Sequence, residues 1–126
     1  MINGYLLERP PSVNNLFMNA RKGRIKTPAY RHWLAANVVD LKADDGVVLP
    51  YSEPCAVSYL LRRFDDRRRR DLFNFEKAFS DLLVARGILL DDHLIQCGVV
   101  AWIDADNLPA PWGASFSIGP YPGGNT

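Results

Sequence analysis

The sequence predicts a single α/β (α+β) domain, and three observations lead there. Short apolar, β-rich runs alternate along the chain with two longer stretches of helical periodicity. The 126 residues suffice for one core and are too few for two comfortable ones. With 48% hydrophobic and 23% charged residues, the composition is that of a folded chain.

The elements follow in order. Ile2 to Glu8 alternates weakly and reads as a short strand, ended by Arg9-Pro10-Pro11-Ser12 because proline cannot donate to a ladder. Lys22-Gly23-Arg24 reads as an exposed basic loop tip. Thr27-Pro28 has the form of an N-cap followed by proline at the first helical position. Tyr30, Trp33, Leu34, Val38 and Leu41 recur behind it at near-helical spacing, so a helix is expected from Pro28 to about Ala43, closed by Asp44-Asp45-Gly46. Val47 to Tyr51 and Ala56 to Leu61 read as strands, the second turning basic at Arg62.

Leu72, Phe75, Phe79, Leu82 and Leu83 trace one helical stripe, while Asn74, Lys77 and Asp81 trace another face. Asp71 stands at the N-cap position and Gly87 at the left-handed C-cap, giving a helix from about Leu72 to Arg86. Ile95 to Ile103 is a further strand. After Asp106 the chain is rich in Pro and Gly and is expected to run over the surface or fray, so the domain is drawn over 1–106 with a tail over 107–126.

Charge is segregated even though the net value is only +1. Arg9, Arg21, Lys22, Arg24, Lys26 and Arg31 form one basic block, and Arg62, Arg63 and Arg67 to Arg70 form a second. Together they hold twelve of the fifteen basic residues, whereas the chain from Asp71 onward has seven acids against Lys77 and Arg86. This points to a face for nucleic acid with an acidic cluster behind it. Cys55 and Cys97, each in an apolar run without zinc-ligand spacing, read as buried thiols of a reducing compartment rather than a disulfide. With no membrane-length apolar run and no signal-peptide pattern, the expected location is cytoplasmic, with no membrane partner.

The chemistry concentrates between Asp65 and Lys77. Arginine forks bind phosphate bidentately, and clustered arginines attract a polyanion. A carboxylate beside them suits phosphate only across a divalent cation. Four arginines running into Asp71 therefore mark the edge of a site for metal-assisted phosphodiester chemistry. Each residue also has a plain structural reading: Asp71 as a cap, Lys77 as a solvated helix residue, Asp91-Asp92 as a turn. Their joint arrangement favours the site.

Three pieces occur together: Pro10-Pro11-Ser12-x-Asn14, the run from Asp66 to Lys77, and Leu89-x-Asp91-Asp92 after a helix and a glycine. In this order and spacing the pattern resembles the RusA family of Holliday-junction resolvases, often phage-encoded, over roughly Pro10 to Val100. The resemblance implies a RusA-like nuclease domain, a mixed sheet with helices packed on it, acting as a homodimer in a bacterial or phage-infected cell. It implies cleavage of four-way DNA junctions with Mg²⁺ by paired symmetric nicks, in recombination and repair. It also implies Asp71, Lys77 and Asp92 as catalytic residues, with Asp71 and Asp92 holding metal and Asp91 nearby. Arg67, Arg68, Arg69 and Arg70, with Lys22, Arg24 and Lys26, would grip the DNA backbone.

The chain departs from the family at one position. The family reads Asp-Leu-Asp-Asn where this chain has Asp71-Leu72-Phe73-Asn74, and Phe73 cannot ligate a metal. In one outcome a nearby acid substitutes, with Glu76 one turn on and Asp91 and Asp66 close in sequence. In the other, the protein binds junctions and cuts them poorly or not at all. Phe73 is then either a wedge stacked on an opened base or a core residue.

Overall fold

Alternation of apolar and polar residues builds the sheet. The computed structural model describes residues 1–66 and 68–121. Strand β1 (Ile2–Leu6) buries Ile2, Gly4 and Leu6 in turn. After a 3-10 turn at Val13–Asn15, β2 (Phe17–Ala20) and β3 (Gly23–Lys26) form a separate exposed hairpin. Helix α1 (Pro28–Ala36) starts as its sequence dictates, with the Thr27 side chain accepting the Tyr30 N–H and proline in the first turn. Next come β4 (Val39–Ala43) and β5 (Cys55–Arg62). A 3-10 turn over Leu72–Phe75 leads into α2 (Glu76–Ala85), and β6 (Ile95–Ile103) and β7 (Ala114–Pro120) complete the described chain.

Five strands make one mixed sheet in the order β4-β1-β7-β5-β6. β5 and β6 are parallel, and every other pairing in it is antiparallel. Parallel neighbours need a long crossover, and α2 lies within it. The helix packs Ala78, Phe79, Leu82 and Leu83 into the core. The Phe79 ring stacks on Tyr59 of β5 with centroids 4.0 Å apart and meets Phe116 of β7 edge-on at 6.1 Å. Gly87 takes a positive φ of 69° and ends the helix region as expected. At Gly4 a β-carbon would stand 2.5 Å from the Asp40 carbonyl oxygen and from the Phe116 ring, so that position has no room for a side chain.

The structure corrects four expectations. Of the two thiols expected to be buried, Cys55 is and Cys97 is exposed. The first helix stops at Ala36, and Val39–Ala43 is a strand paired with β1. Asn37 leaves the helical region (ψ 133°), because its side chain exchanges two hydrogen bonds with the Glu8 backbone, at 2.9 and 3.1 Å. Arg86 then donates to the Leu34, Ala35 and Asn37 carbonyls, satisfying acceptors the helix end leaves free. Val47 to Tyr51 is not a strand; Tyr51 alone forms an isolated bridge, with Leu89, and Val48 is 79% exposed. Nor is the chain after Asp106 a tail up to Pro120: β7 lies between β1 and β5, burying Ala114, Phe116 and Ile118. The prolines and glycine from Pro109 to Gly113 are the turn into that strand. The rest of the predicted tail, 122–126, lies outside the described residues. Among the described residues no helix is long and apolar enough to cross a membrane.

Candidate nucleic-acid interface

Two segments distant in sequence face each other across a cleft of about 830 Å³. One wall is the N-terminal turn, with Arg9, Pro10, Pro11, Ser12, Asn14 and Asn15. The prolines hold that turn extended, and the Ser12 hydroxyl then accepts the Asn14 N–H at 3.4 Å to start the short 3-10 turn. The other wall is the stretch leaving β5, with Phe64, Arg68, Arg69, Arg70, Asp71 and Asn74.

A single aromatic ring organises the arginine wall. The guanidinium carbons of Arg9 and Arg70 each lie 3.7 Å from the Phe64 centroid. Two cations that close to one centroid must take opposite faces, so Phe64 holds one from each wall. Phe64 itself leans on Phe75 and Trp102, with centroids 6.1 and 5.8 Å away. Arg70 also grips Asp66 bidentately, at 2.6 and 2.8 Å. The Arg70 hydrogen bond, helped by the Arg68 N–H, pulls the Asp66 carboxyl down to about 2. Arg70 is thus already engaged, while Arg68 and Arg69 stand exposed on the cleft.

Asp71 joins this wall to the helix. Its carboxylate accepts the Phe73 N–H at 3.1 Å, capping the 3-10 turn before α2. Phe73 is 73% exposed, so it is not a core residue. On α2, two chains of hydrogen bonds then run inward side by side. Ser80 gives its one hydroxyl proton to Glu76 at 2.6 Å, so the buried Tyr59 hydroxyl must donate to Ser80, 2.9 Å away. One residue round the helix, Lys77 reaches Asp81 at 3.1 Å, and the Tyr30 hydroxyl donates to the other Asp81 oxygen at 2.5 Å. Burial raises the Tyr30 and Tyr59 hydroxyls above their ordinary range, the Asp81 bond adding to the effect at Tyr30. The Lys77 ammonium is raised chiefly by the Asp81 hydrogen bond and further by the charges of Asp81, Asp92 and Glu76. The 3-10 turn Asp92–Leu94 packs against α2, which brings Asp92 to the helix that carries Lys77.

Comparison with known proteins decides the family. No family model matches the chain. It is 32% identical over 96 residues to crossover junction endodeoxyribonuclease RusA of Escherichia coli strain K12, covering 72% of this chain and 76% of that protein. The same protein from Escherichia coli O139:H28 is 31% identical over 99 residues, covering 75% and 78%. This chain belongs to the RusA family. RusA relatives by name cut DNA at crossover junctions, which fits the nucleic-acid face expected from the arginine stretch.

Placed on this RusA-family fold, the expected site residues fall into separate groups. Asp71 lines the cleft with Arg68, Arg69 and Arg70, while Arg67 lies outside the described residues. Lys77, Asp92 and Glu76 share a neighbourhood on and beside α2. Asp91 is tied up: the His93 N–H, at 3.0 Å, and then the His93 imidazole hold its carboxyl down to about 2. Lys22, Arg24 and Lys26 sit exposed on the β2–β3 hairpin and do not line the cleft. The hairpin does spring from the cleft wall, because Thr27 donates its hydroxyl to the Asn15 carbonyl at 2.9 Å. Two arginines counted in the basic blocks have other work: Arg62 binds the carbonyls of Trp112, Ala105 and Leu108, and Arg63 pairs with Asp104.

Sequence reasoning missed Phe64 as the stacking ring and Tyr30, Asp81, Ser80 and Tyr59 as supports. The i,i+4 spacing of Lys77 and Asp81 was a usable signal; nothing local marks Tyr30 or Tyr59. For a metal, the available donors Asp71, Glu76 and Asp92 are hard oxygens of the kind Mg²⁺ takes. Among the described residues no three His, Cys, Asp or Glu side chains converge. The fit is thus to an ion taking one or two carboxylates, with waters and substrate phosphate completing its shell.

Proposed function

We propose that this chain is a Mg²⁺-dependent, structure-specific endonuclease that resolves four-way DNA junctions by paired symmetric nicks. The observation carrying this reading is the cleft in which an arginine wall leads directly into the capping carboxylate Asp71. Arg68 and Arg69 bind backbone phosphates and lay the strand along Asp71. Asp71 from the cleft and Asp92 from the turn beside α2 are the carboxylates that would hold Mg²⁺, with Asp91 next to Asp92 in sequence. An ion bound between them would supply an activated water and screen phosphate charge. Lys77 has three N–H donors and gives one to Asp81. The others are free to stabilise charge that builds on the scissile phosphate. Two nicks placed symmetrically on a two-fold junction are most simply made by two symmetric subunits, so the working form is a homodimer.

Incubating a synthetic four-way junction with and without Mg²⁺, and following binding and cleavage on one gel, tests this. Paired nicks that need Mg²⁺ and fall at least ~100-fold in Asp71→Asn are expected; Asp71→Asn cutting as fast as the parent would overturn the site.

The exposure of Phe73 favours a second reading, a catalytically impaired junction-binding protein. An aromatic ring 73% exposed beside Asp71 can stack on an unpaired base. That reading expects tight junction binding without a Mg²⁺-dependent product, and nuclease activity that appears in Phe73→Asp. If the parent cuts and Glu76→Gln slows it, Glu76 has taken over the missing carboxylate's part and the second reading falls.

A further inference from the structure

Lys77 and its partner differ from an ordinary helix-surface ion pair. In an exposed i,i+4 pair both side chains wander and little is fixed. Here the acceptor is immobilised from the far side. Asp81 is only 21% exposed, and its second oxygen takes the Tyr30 hydroxyl proton at 2.5 Å. Tyr30 is itself locked in the core, 1% exposed, stacked on Trp33 at 6.3 Å and edge-on to Phe17 at 6.0 Å. The hydroxyl comes from α1 and the carboxylate from α2, so the position of the lysine is set by the packing of two helices. Lys77 stays 47% exposed. Bulk rigidity alone does not require this arrangement, since a Phe would fill the site of Tyr30 equally well.

We propose that Asp81, oriented by Tyr30, is the positioning residue for Lys77: it fixes the ammonium through one N–H donor and leaves two for a DNA phosphate. The proposal rests on the junction-cutting reading for the identity of that phosphate. The order of the Lys77 ammonium can be measured without DNA.

The test uses the full chain with Asp81→Asn and Tyr30→Phe. The chain has four lysines, Lys22, Lys26, Lys42 and Lys77, so side-chain amine NMR on lysine-labelled protein resolves the one that disappears in Lys77→Arg. Asp81→Asn is expected to free the Lys77 ammonium, read as a lower order parameter for its NH₃⁺ group and faster exchange of its protons, with Tyr30→Phe acting the same way by less. Single-turnover nicking of the junction should fall ~10-fold or more in Asp81→Asn while junction affinity holds. Thermal unfolding of both variants separates loss of positioning from loss of fold. The proposal is overturned if the Lys77 ammonium is equally ordered in parent and variants, or if nicking follows unfolding and affinity only. If the parent itself makes no nicks, the nuclease reading fails, and the order of the Lys77 ammonium still decides the positioning claim.

Discussion

The arginine wall of the cleft and the polar face of α2 hold their charges in opposite ways. On the wall, cations are fixed from the outside, by stacking on the Phe64 ring and by the exposed carboxylate of Asp66. On the helix, charged groups are fixed from within, by hydroxyls of Tyr59 and Tyr30 rooted in the core. A surface held the first way can adjust to a strand and releases it as salt rises. A group held the second way keeps one position. Binding and chemistry thus use different means of support within one 126-residue chain.

The comparison can be broken first at the wall. Replacing Arg68 and Arg69 together by alanine should weaken junction binding by about 3 kcal/mol at low salt. It should also flatten the logarithmic salt dependence by about 1.8. Filter binding over a salt series reads both; an unchanged slope would remove these arginines from the interface. Next, Phe64→Ala should cost about 2 kcal/mol in denaturant unfolding, because a half-buried ring and two cation contacts are lost together. Unlike Asp81→Asn, it should leave the Lys77 ammonium as ordered as in the parent.

A smaller effect is expected on the helix side. Tyr59→Phe keeps the stack on Phe79 and removes only the proton given to Ser80, so it should lower stability by about 1 kcal/mol in the same assay. The smallest effect is acid-dependent. Asp66 has its folded value depressed to about 2. Its contribution is present above the ordinary carboxyl range, near ~3.9, and is lost as pH falls toward that depressed value. Asp66→Asn should therefore narrow the stability gap between neutral and acid solution, measured by denaturant unfolding from pH 2 to 7. A wider gap would show that Arg70 is held by Phe64 alone.

Legibility in the sequence followed the range of the causes. The period of β5, the Asp71 cap and the Gly87 stop are written within a few neighbouring residues; the first and last stand in the structure as expected, while Asp71 caps the 3-10 turn Leu72–Phe75 and the α-helix itself begins at Glu76. β4 was misread because Val38 and Leu41 satisfy a helical period, while the break is made by Asn37 bonding to Glu8, 29 positions away. β7 was hidden by the prolines and glycines flanking it, although Ala114, Phe116 and Ile118 alternate as a strand should. At the site, the arginine run and Asp71 were readable as one stretch. The Arg9–Phe64–Arg70 stack and the Tyr30–Asp81 bond join residues 51 or more apart on one side at least, and no local pattern announces them.

The position of β7 has a consequence for how the molecule is made. It follows β1, β4, β5 and β6 in the chain, yet among the described residues it is the strand that lies between β1 and β5 and joins them. Until residues 114–120 emerge, the nascent chain carries two half-sheets with open flanks. The cleft, whose walls come from either side of that gap, therefore cannot be completed before that strand is made.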